Sequence, residues 1–498
     1  MNNDTNNPLL PTLTSDLLTR SGIHTDNLFS SVWKRLRFNT LLSRTGFKKR
    51  TGTPVEEVVY LLLLWVWLKA NSISMFSRAS MLSFSAARKD ALYDFLNRED
   101  VNWRQLQLQT AKKVIHTTDN SKLRAFVVDD SVKRRTGRKM PGVSSHFDHL
   151  NGRCVMGQQV LTLGIATEAQ FIPIDSELFI SRSKVQSPKN NFKDGRSIVA
   201  KRYRDGLEST KPQMVAQMIR RALRAGIDAQ YFLSDSWFAT KSMLKFTEEE
   251  SLIGVVRMKK NKMKYRLTID GTAQMLNAAE LYKHHVKGQW QKGRGLPYQF
   301  KSIEVALNLA QEKEDDEHWI KVKLLFTRGI DEEKQKAGKH DWAVFLSTDS
   351  QMDDEKILAL YALRWGIEVY FKEAKQNLGL LKEQSSHYGA YIASIHLTAI
   401  RFCMLLFAKH EENARSLSDV RNNLSKTLCS LDFASQLWIL FRAIIVGTFD
   451  ELKVIYGEIF GYILRQIDCK IKQFFEQVMQ MDSFTLRLEA MSERDYPR

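Results

Sequence analysis

The chain has 498 residues, 43% hydrophobic and 26% charged, an ordinary soluble composition with enough apolar material for a large core divided over two to four domains. Lysine and arginine number 74 against 56 acidic residues, a formal charge of +18, so the expected partner is a polyanion, nucleic acid first, rather than an acidic small molecule. Cys154, Cys403, Cys429 and Cys469 lie far apart, which argues against a zinc site or a disulfide framework and fits a reducing cytoplasm.

The N-terminus, Met1-Asn-Asn-Asp-Thr-Asn-Asn, lacks the basic start and apolar run of a signal peptide, so the chain is not expected to be secreted. After this polar leader, residues from about 27 to 115 read as helices carrying a basic segment, Trp33-Lys-Arg-Leu-Arg37 with Arg44 and Lys48-Lys-Arg50. That charge fits either a helix-turn-helix-like DNA module or a solvated face. Thr53, Pro54 and Glu56 predict an N-cap, a proline at the first helical position and a capping-box partner ahead of Val58. The run Val58 to Leu68 is about half of the ~20 residues that span a bilayer and reads as a core helix, so no membrane partner is expected.

From about residue 123 short β-type runs begin: Ala125 to Val128, Val160 to Leu163 after a turn at Asn151-Gly152, and Phe171 to Ile174. Residues 181–211 read as a basic loop with Lys184, Lys189, Lys193, Arg196, Lys201, Arg202 and Arg204, long enough to be functional and suited to phosphate contact. Pro212 to Ala225 reads as a helix ended by Gly226, and Tyr231 to Leu233 as a buried strand, so the core is α/β. A β-rich block from about 252 to 348, including the basic run Lys259 to Lys264, splits that core in sequence. From about 390 onward the chain is helical and apolar. No internal repeat and no phosphate-binding glycine loop is present, so ATP use is not indicated.

Between these blocks, Tyr361-Ala-Leu-Arg364-Trp-Gly-Ile-Glu368-Val-Tyr-Phe-Lys372-Glu-Ala-Lys375 reads as one helix. At about 100° per residue, Tyr361, Arg364, Glu368 and Lys375 fall within an arc of roughly 60°. A carboxylate flanked by cations on one face suits a helix that holds a metal through Glu and grips phosphates with Arg and Lys; a surface stripe of ion pairs has the same spacing. Asp129 and Asp130 end the strand Ala125 to Val128, and Asp235 follows Tyr231 to Leu233. Carboxylates at strand ends face a shared crevice in open sheets, where Glu368 would join them, although a strand-end Asp also serves as a cap. Three carboxylates suffice to hold two Mg²⁺ ions for phosphodiester chemistry, and hard oxygen donors are what Mg²⁺ prefers.

Together these residues resemble the DDE transposases of bacterial insertion sequences, in the IS-four type marked by Tyr-x2-Arg-x3-Glu-x6-Lys. Tyr361, Arg364, Glu368 and Lys375 match that signature at every spacing, and Val-Val-Asp129-Asp130-Ser131 and Leu-Ser-Asp235-Ser-Trp-Phe238 match its two aspartate segments. The resemblance covers roughly residues 123 to 400. It implies an α/β, ribonuclease-H-like catalytic core interrupted by a β-rich insertion and flanked by helical regions. The expected division is 1–120 for a DNA-binding region, 121–250 and 351–400 for the core, 251–350 for the insertion and 401–498 for dimerisation. Implied metal ligands are Asp129, Asp235 and Glu368, with Asp130 as the alternative first acid and Mn²⁺ as a substitute for Mg²⁺. Implied DNA contacts are Tyr361, Arg364, Lys372 and Lys375, a basic segment with Arg257 and Lys259, and Trp342. That tryptophan would stack on a base flipped from a hairpin end, or else simply begin a core strand. The implied activity is cut-and-paste transposition on double-stranded transposon ends and target DNA, by a homodimer in the bacterial cytoplasm at the nucleoid.

Overall fold

A computed structural model describes residues 28–479 other than 138, 149–151, 182–184, 186–191, 287, 289, 294–297, 311–315 and 330–341. The polar leader, Asn151 of the expected turn, and Lys184 and Lys189 of the basic loop lie outside the described residues. The chain divides into two compact units, residues 1–98 with 404–498, and residues 99–403.

The first unit begins with α1 (Leu28–Arg35), α2 (Phe38–Arg44), α3 (Val55–Leu64, continued by a 3-10 turn at Trp65–Leu68), α4 (Ile73–Ala79) and α5 (Lys89–Leu96). Trp33 stacks on Phe38 at 4.5 Å and meets Tyr60 edge-on at 5.2 Å, which ties α1, α2 and α3 round one aromatic centre. Val58 to Leu64 have no exposed surface, as an all-apolar helix requires. The start of α3 differs from the expected cap. Pro54 itself takes the N-cap position with φ −52° and ψ 147°; its ring holds that φ, and the ring has no acceptor with which to bond the first-turn N–H groups. Glu57, not Glu56, turns inward and accepts from Ser85 Oγ.

The second unit carries α6 (Trp103–Thr118), β1 (Ala125–Arg134), β2 (Ser144–Asp148), β3 (Arg153–Ala166), β4 (Phe171–Phe179), α7 (Ile198–Glu208), α8 (Lys211–Arg224), β5 (Tyr231–Ser234), α9 (Lys241–Glu249) and β6 (Ile253–Arg257). It continues with β7 (Lys264–Ile269), β8 (Thr272–Asn277), α10 (Ala278–His284), β9 (Gln291–Lys292), β10 (Tyr298–Asn308), β11 (Trp319–Gly329), β12 (Trp342–Ser347), α11 (Asp354–Ala362) and α12 (Trp365–Gln376). The described strands form one mixed sheet in the order β2-β3-β1-β5-β6-β12-β11-β10-β7-β8, with β4 beside β3 and β9 beside β10. β1, β5 and β6 are parallel neighbours, joined by helical crossovers, and Ala125 to Val128 and Tyr231 to Ser234 are buried throughout, as parallel strands covered on both faces demand. β12 pairs antiparallel with β6, so the β-rich segment extends the same sheet.

α8 is fixed by its ends: Thr210 and Gln213 form a capping box, proline lies in the first turn, and Gly226 follows at φ +74°. The expected basic loop is partly helical, because Ser197 caps α7. Arg202 of that helix is buried rather than offered to solvent. Its Nη2 donates to Glu177 at 2.7 Å and to Ser176 O at 2.9 Å.

Two further helices, α13 (Tyr388–Glu411) and α14 (Leu417–Met479), complete the described chain. By length and composition α13 and the stretch Leu417–Ile445 of α14 are each apolar enough to cross a membrane. The apolar window of α13 is wholly buried inside the protein, the place of a core helix, whereas that of α14 is 18% buried.

Candidate active site

β1 leaves the core at one residue. Its pattern changes from fully buried at Val128 to half-exposed at Asp129. In the parallel ladder Val128 pairs with Ser234 and Ser234 with Val256, so the next residues along, Asp129, Asp235 and Arg257, stand side by side at the same end of three strands. This is where an open α/β sheet presents its crevice.

The fourth member arrives on α12. The segment from Tyr361 to Lys375 is not one unbroken helix: α11 ends at Ala362 and α12 begins at Trp365, with Gly366 N bonding Leu363 O in a tighter turn. A Cβ at Gly366 would lie 2.7 Å from Phe171 Cβ, so glycine lets the start of α12 press onto β4. Arg364 then reaches across. Its Nη1 donates to Asp129 Oδ2 at 3.0 Å and its Nη2 to Glu368 Oε1 one turn later, so a single guanidinium joins the two carboxylates. Tyr361 packs edge-on against Phe345, with ring centroids 4.6 Å apart, and Phe345 pairs with Arg257 in the β12 to β6 ladder.

Asp130 points the other way, as strand alternation requires. It accepts from Lys211 Nζ at 2.7 Å and from Gln159 Nε2 at 2.6 Å. Lys259 lies 3.9 Å from the ring of Trp237, which is 56% exposed two residues past Asp235, whose carboxylate accepts from Trp237 N at 2.9 Å. Lys372 is exposed and Lys375 half-buried on α12. Trp342 stands apart from the acid set. It is three residues from Phe345 along β12, about 10 Å, stacked on Tyr282 at 4.3 Å with Lys260 Nζ 4.1 Å from its ring. Lys211 and Trp237 carry no role in the sequence reading. Lys211 falls at the end of the expected basic loop and Trp237 inside the Asp235 segment, so proximity in sequence could have marked Trp237, whereas only the fold brings Lys211 to Asp130.

Burial pushes the Asp129 carboxyl up to about 7, and the neighbouring Asp235 adds repulsion. Burial likewise raises Asp235, with Asp130 adding to it. Burial and then Lys133 lower the Lys375 ammonium. Negative charge is therefore crowded where β1 and β5 end, and the site lacks cations rather than acids. Among the described residues no three carboxylate, histidine or cysteine side chains yet converge closely enough to hold a metal. The donor chemistry nonetheless fits a hard divalent cation: the candidate ligands are carboxylates, and two of them, Asp129 and Asp235, repel each other.

An acid-rich crevice at the ends of parallel strands, fringed with lysine and arginine in a basic chain, has the charge pattern of a phosphodiester-cutting site. The model of the DDE superfamily endonuclease family matches residues 68–322, more than half of the chain, and the chain belongs to that family. Membership makes it a nuclease or transposase-type enzyme with DNA as substrate, in a family that typically uses divalent metals. The matched stretch contains Asp129, Asp130 and Asp235 and ends before Glu368. A comparison with curated proteins finds no match.

Proposed function

We propose that the chain is a cut-and-paste DNA transposase of the IS-four type, with a ribonuclease-H-like core and Asp129, Asp235 and Glu368 as ligands for Mg²⁺ or, in substitution, Mn²⁺. The observation that carries this reading is the side-by-side placement of Asp129 and Asp235, one residue past the Val128 to Ser234 pair, with Glu368 tied to Asp129 through Arg364. The strand order β4-β3-β1-β5-β6, antiparallel and then parallel from β1, supports the ribonuclease-H-like assignment.

The chemistry that such ions supply when bound is activation of a water or 3′-hydroxyl and stabilisation of the leaving oxygen. The chain's own residues orient the DNA. Arg364 exchanges its carboxylate contacts for phosphate when the strand enters, Tyr361 bonds a neighbouring phosphate, and Arg257, Lys259, Lys372 and Lys375 hold the backbone. Trp237, exposed beside Lys259, offers a face for a base next to the cut. Trp342, already half of an aromatic stack under Lys260, receives the base flipped from a hairpin end. The N-terminal helical region binds the terminal repeats, the C-terminal helices pair two protomers, and the enzyme acts at the nucleoid in the bacterial cytoplasm.

The test is Mg²⁺-dependent reaction of a DNA fragment carrying the element's own ends, wild type against Glu368→Gln, scored for nicks, hairpins and joined product. Cleavage and joining by the wild type alone is the expected result. Cut ends without joined product would reduce the enzyme to a nuclease, and tight end binding with no cleavage by the wild type would overturn the reading.

A further inference from the structure

At its outer end β1 carries Lys133 and Arg134, and Arg135 follows. These three, with Arg153 of β3 and Lys382 beyond α12, line a cavity of about 610 Å³ that also exposes Cys154, and among the described residues no carboxylate lines it. Arg135 is held by Gln158, its Nε donating at 2.9 Å, while its Nη2 is buried and has no hydrogen-bond partner among the described residues. The strand is firmly placed. A Cβ at Gly157 would meet Val132 Cγ1 at 2.6 Å and Lys133 O at 2.7 Å, so β3 lies hard against the backbone that bears Lys133. Glu383 lies beside these cations; burial raises its carboxyl, Ser394, Arg401 and Arg135 act against that, and this one carboxylate faces Arg135, Lys133 and Lys382 together. Burial lowers both Lys133 and Lys382. Arg135 adds to the first, and Arg401 and then Lys133 to the second, so the cations repel one another across the cavity.

Five cations around a cavity, one with an unused buried donor, suit a phosphate oxygen. We propose that this cavity seats a backbone phosphate of the bound DNA, on the strand that runs from the acid set along β1. The inference rests on the reading of Asp129 as a residue of the cutting site. Asp129 and Lys133 share one face of β1 and lie about 13 Å apart, so the seated phosphate falls roughly four nucleotides of rise from the cut. The seat fixes how far the strand extends past the acids, next to Lys375 of the signature helix, whose charge Lys133 opposes.

The experiment uses the full chain in EDTA with a short fluorescent duplex of arbitrary sequence. Lys133→Gln and Lys382→Gln should each lower the slope of log affinity against log salt by about one unit. Neither should lower the melting temperature, since each removes one of several repelling cations. Alkylation of Cys154 by iodoacetamide, followed by peptide mass, should be slowed by duplex DNA in the wild type and not in these variants. Inorganic phosphate at the same phosphate concentration should give no protection; equal protection by it would mark a free-phosphate site and overturn the DNA assignment. Unchanged slope and unchanged protection in both variants, with duplex still bound, would also overturn it, as would failure of the wild type to bind duplex. Loss of Mg²⁺-dependent cleavage by the wild type, with these binding results intact, would sink the nuclease reading separately.

Discussion

Two charge clusters share one sheet and are built from the same residue types in opposite proportion. On β4, Asp175 and Glu177 receive three arginines. Arg221 meets Asp175 at 2.7 Å, Arg202 meets Glu177 at 2.7 Å, and Arg104 contacts both. Where β1 and β5 end, Asp129, Asp130, Asp235 and Glu368 share Arg364 and Lys211. Burial alone would raise Asp175, but Arg221, Arg104 and Arg202 hold it below the usual carboxylate range; Asp129, with too few cations, is driven up instead. An excess of arginine makes a structural knot, because the guanidinium forks close round Asp175 and Glu177 and leave no carboxylate without a cation. An excess of buried carboxylate leaves a demand that a divalent ion is suited to meet.

The comparison is broken most sharply by exchanging the two losses. Asp175→Asn should leave the three arginines to Glu177 alone, Arg221 losing its 2.7 Å partner, and destabilise the second unit by roughly 3–5 kcal/mol, read as a lowered melting transition. Asp235→Asn should leave that transition in place and reduce Mg²⁺-dependent cleavage on the order of 10³-fold, about 4 kcal/mol in the barrier. Equal unfolding by both would show that the acid set is only another structural cluster.

A smaller effect concerns pH. The folded Asp129 carboxyl holds its proton up to about 7, whereas an unfolded one releases it near 3.8. Over that window the folded state binds more protons, so the metal-free protein should gain stability as pH falls from 8 to 5, on the order of 1–3 kcal/mol. Asp129→Asn should flatten this dependence. Asp175, depressed instead, contributes stability above about 3.9 that is lost only as pH falls through its lower folded value, outside the same window. Denaturant melts at pH 8 and pH 5 in EDTA decide the point, and a slope unchanged by Asp129→Asn would remove Asp129 as its source.

The smallest effect tests the rim. Lys211→Ala removes a half-buried partner of Asp130 that also lies 5.7 Å from the Trp237 ring. Stability should fall by about 1 kcal/mol or less, as for a partly exposed pair, with cleavage reduced a few-fold and not abolished. Complete loss of cleavage at full stability would move Lys211 into the reacting set.

Much of this was legible because it is written in local chemistry. Alternation and strand ends mark Asp129 and Asp235; the steps from Arg364 to Lys375 mark a helical face, though Tyr361 falls on the helix before it; Pro212 and Gly226 bracket α8. A helix face and a strand end are set by neighbours in sequence, since 3.6- and 2-residue periods and capping bonds act within a few residues. Only the tertiary structure decided that β12 joins β6 to prolong one sheet, that Arg202 is buried on Glu177 while Lys211 reaches Asp130, and that Arg364 joins Asp129 to Glu368. Those pairings span up to 235 positions of sequence. They depend on which long-range approach best offsets the desolvation of each charge, and a linear pattern of residue types does not carry that information.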